Sequence, residues 1–144
     1  MKSGDMILRG LLNRPRWHRS ILVTDEDAAI RRELAAVLEP DGFSVFEASA
    51  GREAVEMVRS GSVDILILNM LLPDVDGVNT LKMIKRVVWP LPCIFIGEHV
   101  SKEMRLEAMT AEAFAVLEEP FRPQVLRDTV WRVVDRYYGS PEMM

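Results

Sequence analysis

The sequence is poor in the residues that mark a chemically specialised chain. Cys93 is its single cysteine among 144 residues. One thiol makes neither an internal disulfide nor a thiolate metal site, which fits a reducing compartment and a cytoplasmic location. No apolar run approaches the roughly 20 residues that cross a bilayer as a helix, so membrane insertion is not expected. The basic amino terminus has no long apolar core followed by a small-residue cleavage site, which argues against a secretory signal. Positive charge is not in surplus: 18 Lys and Arg stand against 22 Asp and Glu, a net charge of −4. A nucleic-acid partner is therefore disfavoured. No internal repeat or low-complexity linker interrupts the chain.

What is present is an ordinary folding composition, 49% hydrophobic and 28% charged, in a length that suits one compact domain. From Ser20 onward, short apolar runs alternate with helical patterns five times. Ile21-Leu22-Val23 is the first strand, and Asp27 is placed to cap a helix whose stripe is Ile30, Leu34, Val37 and Leu38. Pro40, Asp41 and Gly42 end it. Phe43 to Ala48 reads as a second strand, followed by a helix from about Arg52 to Ser60. Val63 to Leu68 is the third strand and the most continuously apolar, as befits the centre of a parallel sheet covered on both faces. Val78, Leu81, Ile84 and Val88 form the next helical stripe, Cys93 to Ile96 a fourth strand, and Ser101 to Met109 a helix. Phe114 to Leu117 is strand five, and Pro123 opens a last helix. Such alternation implies an α/β fold: a three-layer, doubly wound (βα)5 sandwich with a five-stranded parallel sheet, flavodoxin-like. The expected organisation is an extension over 1–19, the domain over 20–139 and a tail over 140–144.

In such sheets the functional crevice lies beyond the carboxyl ends of the strands. Strand one ends at Asp25-Glu26, strand three at Asn69, strand four at Gly97 and strand five at Glu118-Glu119. The segments ILVTDED (21–27), LNMLLPDVDG (68–77) and EPF (119–121) resemble, in order and spacing, the receiver domains of two-component response regulators. The resemblance covers about residues 20–138. It implies a site in which an acidic pair holds Mg²⁺, an aspartate accepts the phosphoryl group, a hydroxyl and a lysine contact that group, and an aromatic residue switches. Here the acidic pair is Asp25 and Glu26. The acceptor position is Asn69, the hydroxyl position Gly97, the lysine position Glu119 and the aromatic position Val116.

These exchanges remove the chemistry. An amide is a poor nucleophile, glycine has no hydroxyl, and Glu119 turns an attraction for a dianion into a repulsion. The expected protein is no enzyme but a stand-alone degenerate receiver, a protein-interaction module in bacterial two-component signalling that works without phosphorylation. No cofactor is required. At most a weak Mg²⁺ site is expected from Asp25, Glu26, the Asn69 side-chain oxygen and the Leu71 carbonyl. The Asn69 amide is also a candidate donor to Glu119, replacing the lost ion pair. The alternative function is a phosphorylation-competent regulator with an unusual acceptor, or a small-ligand binder in the residual acidic pocket. A Gly-rich phosphate loop, which nucleotide-type ligands would favour, is missing after strand one, where Asp25-Glu26-Asp27 stands instead.

Other residues have plainer expectations. Asp74 and Asp76 serve the turn before Gly77, Cys93 is a small core residue, and His99 is exposed. Trp89 is a surface anchor or a partial core residue. Met6 to Leu12, with Arg14, Arg16, Trp17, His18 and Arg19, form a basic tail or a docking segment. The last helix carries Trp131, Val134, Tyr137 and Tyr138, more aromatic area than one buried face needs. The resemblance implies that the last two helices and the strand between them bind partners: a histidine kinase, another regulator, an output protein or a second copy.

Overall fold

The computed structural model describes residues 19–139; the expectations for residues 1–18 and for the tail lie outside them. Five strands and five α-helices alternate: β1 Ser20–Thr24, α1 Ala28–Leu38, β2 Ser44–Ala48, α2 Gly51–Ser60, β3 Ile65–Asn69, α3 Gly77–Lys85, β4 Cys93–Gly97, α4 Lys102–Thr110, β5 Ala115–Glu118 and α5 Pro123–Tyr138. All neighbouring strands pair in parallel, in the order β2-β1-β3-β4-β5. The fold is the flavodoxin-like α/β sandwich that the alternation implies.

The pleat divides the strand side chains between two cores. Ile65 and Ile67 of β3 join Ile21, Val23, Ile94 and Ile96 on the side covered by α1 and α5. Leu66 and Leu68 join Leu22, Cys93 and Phe95 under α2, α3 and α4. Both faces are covered, so the central strands carry no polar alternation until they end. Cys93 is fully buried, and burial pushes its thiol far above the usual range.

The helix ends follow local chemistry where a capping side chain is available. Asp27 accepts from the Ala29 amide, Asp76 from Asn79 and Ser101 from Met104. The start of α2 has only Ala50 at its cap position. Asp74, from the loop after β3, supplies the missing acceptor: its carboxylate takes the Gly51 and Arg52 N–H groups at 2.8 and 3.0 Å. These bonds, Arg52's first, hold the Asp74 carboxyl below its ordinary range against the opposing effect of burial. Asp74 and Asp76 thus have separate roles, one tying the loop after β3 to the start of α2 and the other starting α3.

The α3 stripe is shorter than expected. The helix ends at Lys85, and Val88 is 42% exposed rather than part of the core. Trp89 lies at the surface with the Lys85 ammonium 4.6 Å from its ring centre, a cation–π contact.

Candidate functional site

Sheet order reverses between β1 and β3, and a cleft of about 490 Å³ opens there, beyond the carboxyl ends of the strands. Three backbone bonds prolong the ladder and place its rim. The Asp25 N–H donates to Ala48, the Met70 N–H to Ile96 and the Glu119 N–H to Gly97, at 3.1, 2.8 and 2.8 Å. Asp25, Glu26, Asn69, Leu71 and Glu119 all line the cleft. Asp27, from the acidic run after strand one, joins them, and sequence reasoning did not foresee the other walls, Ile30, Glu98, His99 and Met104. His99 is exposed, with a positive φ of 49°.

Asp25 forms the floor and is 4% exposed. One carboxylate oxygen accepts the Asp27 N–H at 2.8 Å, and the other accepts the Asn69 amide at 2.7 Å. The Asn69 oxygen accepts the Leu71 N–H at 2.8 Å. The expected bond from Asn69 to Glu119 is therefore corrected: the amide N–H donates to Asp25, the more deeply buried acceptor. Arg31 braces the loop from α1. Its Nη1 donates to the Asp25 and Glu26 carbonyls at 2.6 and 3.3 Å, while its Nε meets Glu47 at 2.9 Å. Nothing in the sequence singled out Arg31, because its partners are carbonyls in a loop and a side chain on another strand.

Two glycines let the site close up. A Cβ on Gly77 would collide with the Asn69 carbonyl and lie 3.0 Å from both Met70 and Phe95. α3 can thus start directly against the end of β3, and the Gly77 N–H donates to the Met70 carbonyl at 2.9 Å. At Gly97 a Cβ would stand 3.1 Å from Met70 Cγ; Met70 occupies the room that a side chain there would need.

Glu119 is half-buried, and among the described residues no cation pairs with it. Burial, and then the charges of Asp25, Glu98, Glu33 and Asp27, raise its carboxyl above the ordinary range. Val116 is half-buried against the α2–α4 core, and Arg105 of α4 donates to its carbonyl at 3.3 Å.

A Mg²⁺ ion would need several oxygens converging in octahedral geometry. Glu26 is exposed, the Asn69 oxygen is committed to a backbone N–H, and the Asn69 group facing Asp25 is a donor. Among the described residues no three His, Cys, Asp or Glu side chains are grouped to hold a metal. The residues present do not fit the ion, and the ligand set expected from Asp25, Glu26, Asn69 and Leu71 is not assembled.

The surface expected on α5 also needs correction. Val134 is fully buried, because Leu126, Val130, Val133 and Val134 share the helical face that meets the sheet. Trp131 packs on Phe43 with ring centres 5.0 Å apart and donates to Asp41 at 2.9 Å. The Tyr138 hydroxyl donates to the Asp64 carbonyl at 2.6 Å, and its ring lies under the Arg19 guanidinium. Of these four only Tyr137, at 40%, is substantially exposed, and Val125, nearer the start of the helix, is 41% exposed. Leu106 and Met109 of α4, 68% and 48% exposed, were missed.

The family model for the response regulator receiver domain matches residues 21–131. The chain belongs to that family. Response regulator MprA of Mycolicibacterium vanbaalenii is 32% identical over 101 residues, which are 70% of this chain and 44% of that protein. MprA of Mycobacterium avium is 33% identical with the same coverage. The chain thus spans less than half the length of the curated relatives it matches. A response regulator receiver domain from Clostridium thermocellum superimposes with a TM-score of 0.77 at 28% identity, covering 82% of this chain and 95% of that one. A CheY-like receiver protein from Methanospirillum hungatei gives 0.79 at 23% identity, with coverages of 83% and 95%. This receiver domain is thereby a two-component signalling module, of a family that is generally not enzymatic. No helix among its described residues is long and apolar enough to cross a membrane.

Proposed function

We propose that this receiver works without phosphorylation, as a module that binds other proteins of a two-component pathway. The observation that carries the reading is the state of Asn69. The residue at the acceptor position is a neutral amide whose nitrogen is bonded to Asp25 and whose oxygen is bonded to the Leu71 N–H. It offers no anionic oxygen to an incoming phosphoryl group. Gly97 adds no hydroxyl, and the carboxylate of Glu119, in the field of Asp25, Glu98, Glu33 and Asp27, repels a dianion.

The partner, whether a histidine kinase, another regulator, an output protein or a second copy, meets the exposed apolar groups of α4 and α5. Leu106 and Met109 of α4 and Val125 and Tyr137 of α5 are the residues with area to offer.

The test is intact mass after incubation with acetyl phosphate and Mg²⁺, with the Asn69→Asp variant alongside. The natural protein is expected to gain no phosphoryl adduct. A stoichiometric, hydroxylamine-sensitive adduct on it would sink the reading and favour an unusual acceptor.

A further inference from the structure

We infer that the Asn69 carboxamide takes the place of a divalent cation at the floor of the cleft, making this receiver's stability independent of Mg²⁺. The inference deepens the reading above and can fail separately from it, since a domain that accepts no phosphoryl group can still bind a metal.

Geometry fixes which end of the amide faces which group. The Leu71 N–H can only donate, so the Asn69 atom 2.8 Å from it is the oxygen. The atom 2.7 Å from the Asp25 carboxylate is then the nitrogen, and its N–H carries partial positive charge to a nearly buried anion. With the Asp27 N–H on the other oxygen, each Asp25 carboxylate oxygen has a donor. Arg31, bonded to the Asp25 carbonyl, adds a fixed positive charge behind the loop.

A carboxylate at position 69 would face Asp25 at nearly the same separation with no proton between them. Two such anions are strongly disfavoured unless a proton or a cation comes between them. The side chain cannot swing away cheaply, because the Leu71 N–H holds one of its atoms and the Met70 N–H pins the backbone to β4. An oxygen-preferring cation such as Mg²⁺ would then relieve the repulsion. In the natural protein the amide already does so.

The experiment is thermal unfolding of the natural protein, Asn69→Asp and Asn69→Ala. Each is melted in EDTA and in millimolar MgCl₂, with NaCl matching ionic strength so that screening is held constant. The natural Tm should be the same in both buffers. Asn69→Asp should melt roughly 3–6 °C lower in EDTA and recover most of that in MgCl₂. Asn69→Ala should also melt lower, without recovery. An Asn69→Asp chain that folds only with MgCl₂ supports the inference in its extreme form. If that variant folds in neither buffer, Asn69→Ala decides: a loss without metal rescue supports the inference, and an unchanged Tm overturns it. A natural protein that gains Tm with MgCl₂, or an Asn69→Asp variant as stable as the natural chain in EDTA, also overturns it.

Discussion

The two ends of the sheet treat charge in opposite ways. At the corner where α5 crosses the start of the domain, the anion Asp41 and the hydroxyl of Tyr138 meet their complements, although Arg19 Nε stays buried without a hydrogen-bond partner. Asp41 accepts from Arg127 at 2.9 and 3.1 Å and from Trp131 at 2.9 Å, and Tyr138 sits between the Asp64 carbonyl and Arg19. At the cleft, Asp25, Glu26, Asp27, Glu98 and Glu119 line one space, and Arg31 spends its donors on carbonyls and on Glu47. The first region is arranged for stability. The second keeps a like-charge cluster that stability alone would not select, which is the pattern of a site. The lesson is that an acidic cluster can surround an acceptor position held by a neutral amide.

The contrast can be broken most severely at Trp131. Trp131→Ala removes the packing on Phe43 and the donor to Asp41, and is expected to cost about 2–3 kcal/mol in a urea titration, less than a fully buried Trp would. Trp131→Phe should recover most of it. A loss below that of an ordinary surface substitution would remove the claim that this corner is structural.

Asp41→Asn should cost about 1 kcal/mol at neutral pH. Burial pushes the Asp41 carboxyl up, but the bonds from Arg127 and Trp131 and the charge of Arg127 outweigh it, so its folded value lies below the ordinary one. Its contribution is therefore present above the ordinary carboxyl range and disappears as pH falls through the folded value. Natural and Asp41→Asn stabilities should converge in acid; a difference that persists there contradicts the assignment.

The smallest effect has the opposite sign. Glu119 has a raised folded value, so its favourable contribution is complete at pH below the ordinary carboxyl range and is lost as pH rises through the folded value. Glu119→Gln should stabilise the domain at neutral pH by about 0.5 kcal/mol or less, because the group is partly exposed and screened. The gain should fade in acid. A destabilised Glu119→Gln would mean that the cleft holds a cation for Glu119 after all.

The strands were legible because buried parallel strands read as unbroken apolar runs, and the cap at Asp27 because its partner lies two residues away. Other features were not legible, for one shared reason. Asp74 caps α2 from 22 and 23 residues away, and Asn69 reaches Asp25 across 44. α5 was misjudged because its aromatics looked surplus until Phe43, Asp41 and Asp64 appeared beside them.

By itself, then, the sequence determined the order of elements, the two apolar faces of the sheet and the identities of the groups brought to its carboxyl edge, because local periodicity and short-range capping act within a few residues. Which of those groups share a proton, and which side chains of α5 face solvent, only the tertiary structure decided. Hydrogen bonds and like-charge contacts are settled over a few ångströms, and chain separation says nothing about distances that small.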